Sequence, residues 1–157
     1  MSKKIIEMRN IRKFFYGVPA LKNISFELEE GEVHALMGEN GAGKSTLSKI
    51  IAGIYQADEG EMRIDGEKCR FANAGQANEK GIAMVTQEFS LMKDFSVAEN
   101  IFLTNPGYYR AGFLSDKKAM IKKTEDLLQL FHMEEYIDPY MKVSELSVAQ
   151  MQIVEIV

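Results

Sequence analysis

Gly38-Glu39-Asn40-Gly41-Ala42-Gly43-Lys44-Ser45-Thr46 decides how the rest of this chain is read. The stretch satisfies the spacing G-x-x-x-x-G-K-[S/T], in which a glycine-rich turn opens a helix whose first amides face an anion. Its flanks agree. Before it, residues 33–37 (Val-His-Ala-Leu-Met) form a short apolar run that predicts a buried parallel strand. After it, Leu47, Ile50, Ile51 and Ile54 recur at helical spacing. Strand, turn and helix in that order aim backbone N–H groups at a polyphosphate. Lys44 is then placed to reach the β- and γ-phosphates, and the Ser45 hydroxyl to ligate Mg²⁺. The competing reading is a glycine-rich turn with a chance lysine, and both flanks count against it. The stretch predicts a site for a nucleoside triphosphate.

Composition sets the frame. The chain has 157 residues, 46% apolar and 27% charged, with a formal net charge of -4. That size suits one domain. The negative balance argues against nucleic acid as the main partner, because phosphate backbones need a cationic surface. No apolar run reaches the ~18–20 residues of a membrane span, and the start of the chain has no apolar signal core. Cys69 is the single cysteine, which fits a reducing compartment and reads as a strand-filling thiol.

Outside the phosphate loop the pattern divides. Lys3 to Phe14 reads as an irregular strand. Ile24, Phe26 and Leu28 alternate with Ser25, Glu27 and Glu29, predicting a half-exposed antiparallel strand. Met62 and Ile64 alternate again, and Asp65-Gly66 signals a hairpin into a strand from Lys68 to Phe71. Residues 82–86 (Ile-Ala-Met-Val-Thr) predict a second buried strand, ending at Gln87. Helices follow. Ser96 and Glu99 form a capping box that starts a helix at about Val97. After a loop over residues 105–112, Ser115 is the expected N-cap of a helix whose apolar face carries Met120, Ile121, Leu127, Leu128 and Phe131.

Two more segments carry chemistry. Gln87 ends a predicted parallel strand, where ligands sit in open α/β sheets. A carboxamide there ligates Mg²⁺ through its oxygen or orients a water, although a solvated residue is the plainer reading. Leu146-Ser147-Val148-Ala149-Gln150 opens an apolar helical run, with Ser147 and Gln150 in N-cap and N3 positions. Alone, it is a well-capped helix.

In this order the three segments resemble the ATPase subunits of ABC transporters, over essentially the whole chain. The resemblance implies an α/β fold, the P-loop NTPase (ABC ATPase) fold, with an N-terminal antiparallel β subdomain and a helical subdomain. It divides the chain into a nucleotide-binding core over residues 1–87, the helical subdomain over 88–145, and the signature segment with the start of the following helix over 146–157. It makes residues 38–46 (Gly38, Glu39, Asn40, Gly41, Ala42, Gly43, Lys44, Ser45 and Thr46) the Walker A loop holding ATP, and Gln87 the Q-loop glutamine that binds Mg²⁺ with Ser45. Residues 146–150 match the signature sequence, so Ser147 and Gln150 meet the γ-phosphate of an opposing domain. Phe15 falls where the family places the aromatic that stacks on adenine, with Tyr16 as the alternative register and a plain core aromatic as the other reading. Glu88, Phe89, Leu91 and Phe95 lie near the expected docking surface for the membrane partner, or pack internally. The wording of residues 34–43, 97–103 and 146–152 is similar to the galactose, ribose and xylose import group, in the first of two fused ATPase domains. The implied partners are membrane permease subunits, a second ATPase domain and, indirectly, a sugar-binding protein, at the cytoplasmic face of the cell membrane and without nucleic acid.

The chain departs from the family pattern twice. Val148 and Ala149 replace two glycines, which predicts weakened phosphate contact. The sequence also stops at Val157, before the Walker B aspartate, the glutamate that polarises water and the switch histidine. A truncation before Walker B, little hydrolysis by the chain alone, and exposed sheet edges that promote aggregation are the expectations. His34, in a predicted buried strand, and His132, after the amphipathic helix, are not substitutes. The competing classes are an inactive fragment, a soluble ABC protein acting on ribosomes or DNA, and a small-molecule or nucleotide kinase. The second would need a basic arm or coiled-coil insertion, and the third an arginine-rich lid.

Overall fold

The structure is a computed structural model, described for residues 3–86, 89–103, 109–110 and 114–157. It forms two compact units, Met1–Met84 and Val85–Val157.

The first unit is built on a four-stranded antiparallel sheet in the order β2-β1-β3-β4. Strand β1 (Lys4–Phe15) turns through Tyr16 (φ 51°) and Gly17 (φ 81°) into β2 (Val18–Glu29). Two positive φ values make a type I′ turn, whose twist matches that of the strands it joins. Strands β3 (Glu59–Ile64) and β4 (Glu67–Cys69) meet through Asp65 (φ 49°) and Gly66 (φ 80°), the hairpin expected there. Strand β4 stops two residues short of Phe71, which is buried. Register places Met8 opposite Phe26 on one side and Met62 on the other. Irregularities cluster between Met8 and Lys13, as the mixed pattern suggested. Gly60 (φ +97°) lies against that kink. A Cβ there would approach the carbonyl oxygens of Arg9 and Asn10 to 2.6 Å. Ile6, Met8, Ile11, Leu21, Met62 and Ile64 from the sheet pack with Leu47 and Ile50 of α1 (Lys44–Ile51) and Ala77 of α2 (Ala74–Glu79).

Three expectations for this unit need correction. Residues 33–37 and 82–86 are not strands; Val33 is 99% and Met37 90% exposed. Parallel strands buried on both faces depend on ladder partners, and among the described residues neither segment has one. His34 is accordingly not buried. Its Nδ1 lies 2.7 Å from Glu32 Oε1 and its ring stands edge-on to Phe26 at 5.0 Å. Ile54 falls outside α1. The helix ends in a Schellman motif, with Gly53 N–H on Ile50 O at 3.1 Å and Ile54 N–H on Lys49 O at 2.9 Å. Helix α2 was not expected. Asn73 Oδ1 caps it by accepting from Gln76 N–H at 3.1 Å.

The second unit is mainly helical. Helix α3 (Val97–Phe102) carries the expected capping box: Glu99 N–H donates to Ser96 Oγ and Ser96 N–H to Glu99 Oε2. Two short strands, β5 (Tyr109–Arg110) and β6 (Leu114–Ser115), pair before α4 (Lys117–Leu130). Ser115 ends β6, so the cap passes one residue on to Asp116, whose Oδ1 accepts from Ala119 N–H at 3.2 Å. Phe131 follows α4 at the C-cap and is 43% exposed instead of completing the apolar face. A 3-10 turn, Val143–Glu145, leads to α5 (Val148–Ile156). Val97, Leu128, Ile137, Val143, Leu146 and Val154 form the core of the unit. Among the described residues no helix is long and apolar enough to cross a membrane.

Candidate functional site

Gly43 is the pivot of the phosphate loop. It caps α1 in the left-handed region (φ 91°, ψ 3°) and contributes no side-chain cap. A Cβ there would come within 2.5 Å of Leu21 Cδ2 and 2.8 Å of Ala20 O. Both the backbone conformation and the close approach to β2 therefore require glycine. The first amides of a helix lack intrahelical acceptors, and no acidic residue occupies the first turn of α1. That end of the helix is thus left to an external anion, with the dipole favouring negative charge.

Lys44 folds back over the loop. Its Nζ donates to Gly38 O at 2.7 Å and Glu39 O at 2.8 Å. An ammonium has three donors, so one remains for an oxygen outside the loop. Ala42 N–H turns back on Glu39 O at 3.2 Å, and Glu39, Asn40, Gly41 and Ala42 are exposed around it. Ser45 is exposed in the first turn, while Thr46 is half-buried. The donor set fits Mg²⁺ in one respect: a hydroxyl is a hard oxygen ligand. Among the described residues no group of three His, Cys, Asp or Glu side chains is placed to hold a metal. A cation at Ser45 would take its other ligands from phosphate oxygens and water. Gln87, expected as a second ligand, lies outside the described residues, as does Glu88.

Phe15 ends β1 beside this loop. Residue Leu21, which Gly43 abuts, pairs with Lys13 across the hairpin. The Phe15 ring is half-buried and meets Tyr55 edge-on, with centroids 5.2 Å apart at 69°. Tyr16 stands in the turn, fully exposed. Tyr55 and Asp58 were not singled out by the sequence reading; no motif spacing marks them. Cys69 lies in β4, where burial pushes its thiol up.

In the second unit the signature segment is a capping box. Ser147 N–H and Oγ–H both donate to Gln150 Oε1 at 2.8 Å, and Gln150 N–H returns to Ser147 Oγ at 3.4 Å. Gln150 Nε2 donates to Tyr136 O at 2.7 Å. Gln150 therefore fixes the helix start, while Ser147 is exposed and Val148 is 61% exposed beside it. Leu91 packs against the core of this unit, whereas Phe89 and Phe95 are 36% and 40% exposed.

A glycine-rich loop opening an acid-free helix, followed by a capped Leu-Ser-x-x-Gln helix, narrows the family. The family model described as ABC transporter matches residues 21–157. The chain belongs to the ABC transporter family. Relatives include the galactose/methyl galactoside import ATP-binding protein MglA of Clostridium perfringens, 44% identical over 155 residues, covering 99% of this chain. The ribose import ATP-binding protein RbsA of Bacillus cereus is 47% identical over 152 residues, covering 96% of this chain. The chain spans 29% and 30% of the lengths of these relatives. Among solved structures, the dimeric post-hydrolysis state of the ATP-binding cassette MJ0796 bound to ADP and Pi matches with a TM-score of 0.74 and 30% identity, covering 97% of this chain and 67% of that one. The fold is that of the N-terminal part of an ABC ATPase cassette.

Proposed function

We propose that this chain is the ATP-binding part of an ABC importer that couples ATP binding and hydrolysis to uptake of a sugar, of the monosaccharide class named for its relatives. The observation that carries the reading is the phosphate loop: Gly43 leaves the start of α1 uncapped and Lys44 closes over Gly38 and Glu39 with a donor to spare. The amides of residues 39–46 enclose the phosphates, Lys44 neutralises the β- and γ-oxygens, and Phe15 stacks on the base. Ser45 and Gln87 would hold Mg²⁺, which when bound would supply positive charge against the phosphate oxygens. Gln87 also orients the attacking water.

Ser147 serves in trans, toward nucleotide held by a second ATPase domain; the dimeric ADP-bound cassette supports that arrangement. Closure of the two domains drives permease subunits at the cytoplasmic face of the membrane, with a sugar-binding protein delivering the cargo. Residues 1–157 by themselves are expected to hydrolyse ATP slowly, since positioned charge supplies much of the acceleration in phosphoryl transfer. The test is Lys44→Ala. Loss of ATP affinity by roughly tenfold or more is expected, as for removal of a charge-assisted contact. Unchanged affinity would contradict the proposal.

A further inference from the structure

Phe15 is held from one side by the loop that leaves α1. Asp58 N–H donates to Arg12 O at 2.9 Å, Asp58 Oδ2 accepts from Phe14 N–H at 2.6 Å, and Oδ1 accepts from Lys13 Nζ at 2.8 Å. One carboxylate thus grips both residues that precede Phe15, one through its backbone and one through its side chain. Tyr55, three positions earlier, sets its ring edge-on against Phe15 at 5.2 Å, and Lys13 Nζ lies 5.5 Å from the Phe15 centroid.

The supports trace back to the phosphate-loop helix. Tyr55 N–H donates to Lys49 O at 3.0 Å, and Lys49 Nζ lies 5.5 Å from the Tyr55 centroid. Lys49 is in the last turn of α1. The neighbours of Phe15 offer no comparable restraint: Phe14 is 38% exposed and Tyr16 fully so. Charge-assisted hydrogen bonds to backbone are short and directional, and an edge-to-face contact fixes a ring plane.

We infer that Asp58, with Tyr55, is a positioning residue for nucleotide recognition: it holds the Phe15 ring in the orientation presented to the base, and so controls affinity for the adenine end without touching the phosphates. The inference rests on the roles proposed for Phe15 and Lys44.

Binding of Mg²⁺–ATP and of Mg²⁺–tripolyphosphate to the 157-residue chain separates the two ends of the ligand. Base stacking on an aromatic predicts that Phe15→Ala weakens ATP about tenfold. Asp58→Ala weakens it about three- to tenfold, Tyr55→Ala does likewise, and tripolyphosphate affinity stays unchanged in all three. Asp58→Asn keeps an oxygen for Phe14 N–H but loses the charge facing Lys13, so it falls between wild type and Asp58→Ala. In a Phe15→Ala background, Asp58→Ala adds nothing. A general folding defect would weaken both ligands together. Equal loss of both, or unchanged ATP affinity in Asp58→Ala, overturns the inference. Lys44→Ala judges the phosphate reading separately, because it should weaken tripolyphosphate binding by roughly tenfold or more whatever Asp58 does. If Phe15→Ala leaves ATP affinity unaltered, base stacking falls and the inference with it.

Discussion

Two helix starts in this molecule, those of α1 and α5, are built in opposite ways. Helix α1 begins at Gly43 with no side-chain cap. Helix α5 begins at Ser147 with a reciprocal box to Gln150 and a further tie to Tyr136 O. The first leaves its amide donors for a ligand, while the second spends them on its own fold. Phosphate affinity in this chain should therefore reside at α1, and α5 should contribute stability and one exposed hydroxyl. The difference also explains why similar helix starts differ in their tolerance of a Cβ: Val148 and Ala149 are exposed beside Ser147, whereas Gly43 has β2 against it.

Substitutions sharpen that contrast, and the largest effect should come from the crowded glycine. Gly43→Ala combines a left-handed backbone with overlap of Leu21 Cδ2 and Ala20 O, so urea unfolding of the first unit should lose roughly 2–4 kcal/mol. Gly41 has a similar φ of +86° but nothing within 4 Å; Gly41→Ala should cost only about 1 kcal/mol. Equal costs would remove close packing from the account.

In the second unit, Glu155 Oε1 accepts from both Ser90 N–H at 3.0 Å and Ser90 Oγ–H at 2.8 Å. Glu155→Ala removes the acceptor of both bonds and, because Ser90 is exposed to water, should lower stability by roughly 0.5–1.5 kcal/mol in a denaturant melt. A melt that does not move would show that solvent satisfies Ser90. Ser147→Ala removes the cap of α5 and should cost about 1 kcal/mol, leaving the tripolyphosphate affinity of the chain unchanged. A drop in that affinity would break the distinction between the two helix starts.

The smallest effect is electrostatic. Hydrogen bonds from Lys68 and Arg63 lower Glu61 from the ordinary 4.5 to about 2. Because the folded value is depressed, the stabilisation is fully present above the unfolded value and fades as pH falls from about 4.5 toward 2. Glu61→Gln should lower stability slightly at neutral pH and flatten the acid limb, so that the two proteins converge as pH falls through that window. An unchanged limb would mean that solvent screens the pairs. Asp58, lowered by Lys13 and by Phe14 N–H, acts with the same sign.

What was legible in the sequence was what a few neighbouring residues determine. The Asp65-Gly66 hairpin and the two capping boxes close within four residues, the glycine-rich turn closes through Lys44 on Gly38 and Glu39, and all form. Where the reading slipped, a second local device competed. Asp116 caps α4 in place of Ser115, and Gly53 ends α1 before Ile54 joins its apolar face. Residues 33–37 and 82–86 failed for a different reason: a buried parallel strand is specified by distant partners, and hydrophobicity alone does not supply them. Tyr55 and Asp58 were invisible because their role comes from meeting Phe15 and Phe14 across the fold.

The most direct test is a titration of the isotope-labelled chain with Mg²⁺–ATP, followed through its backbone amide resonances. The account predicts the largest shifts at residues 39–46, with residues 147–150 unmoved in the dilute chain. Shifts centred on 147–150, or none at 39–46, would contradict it.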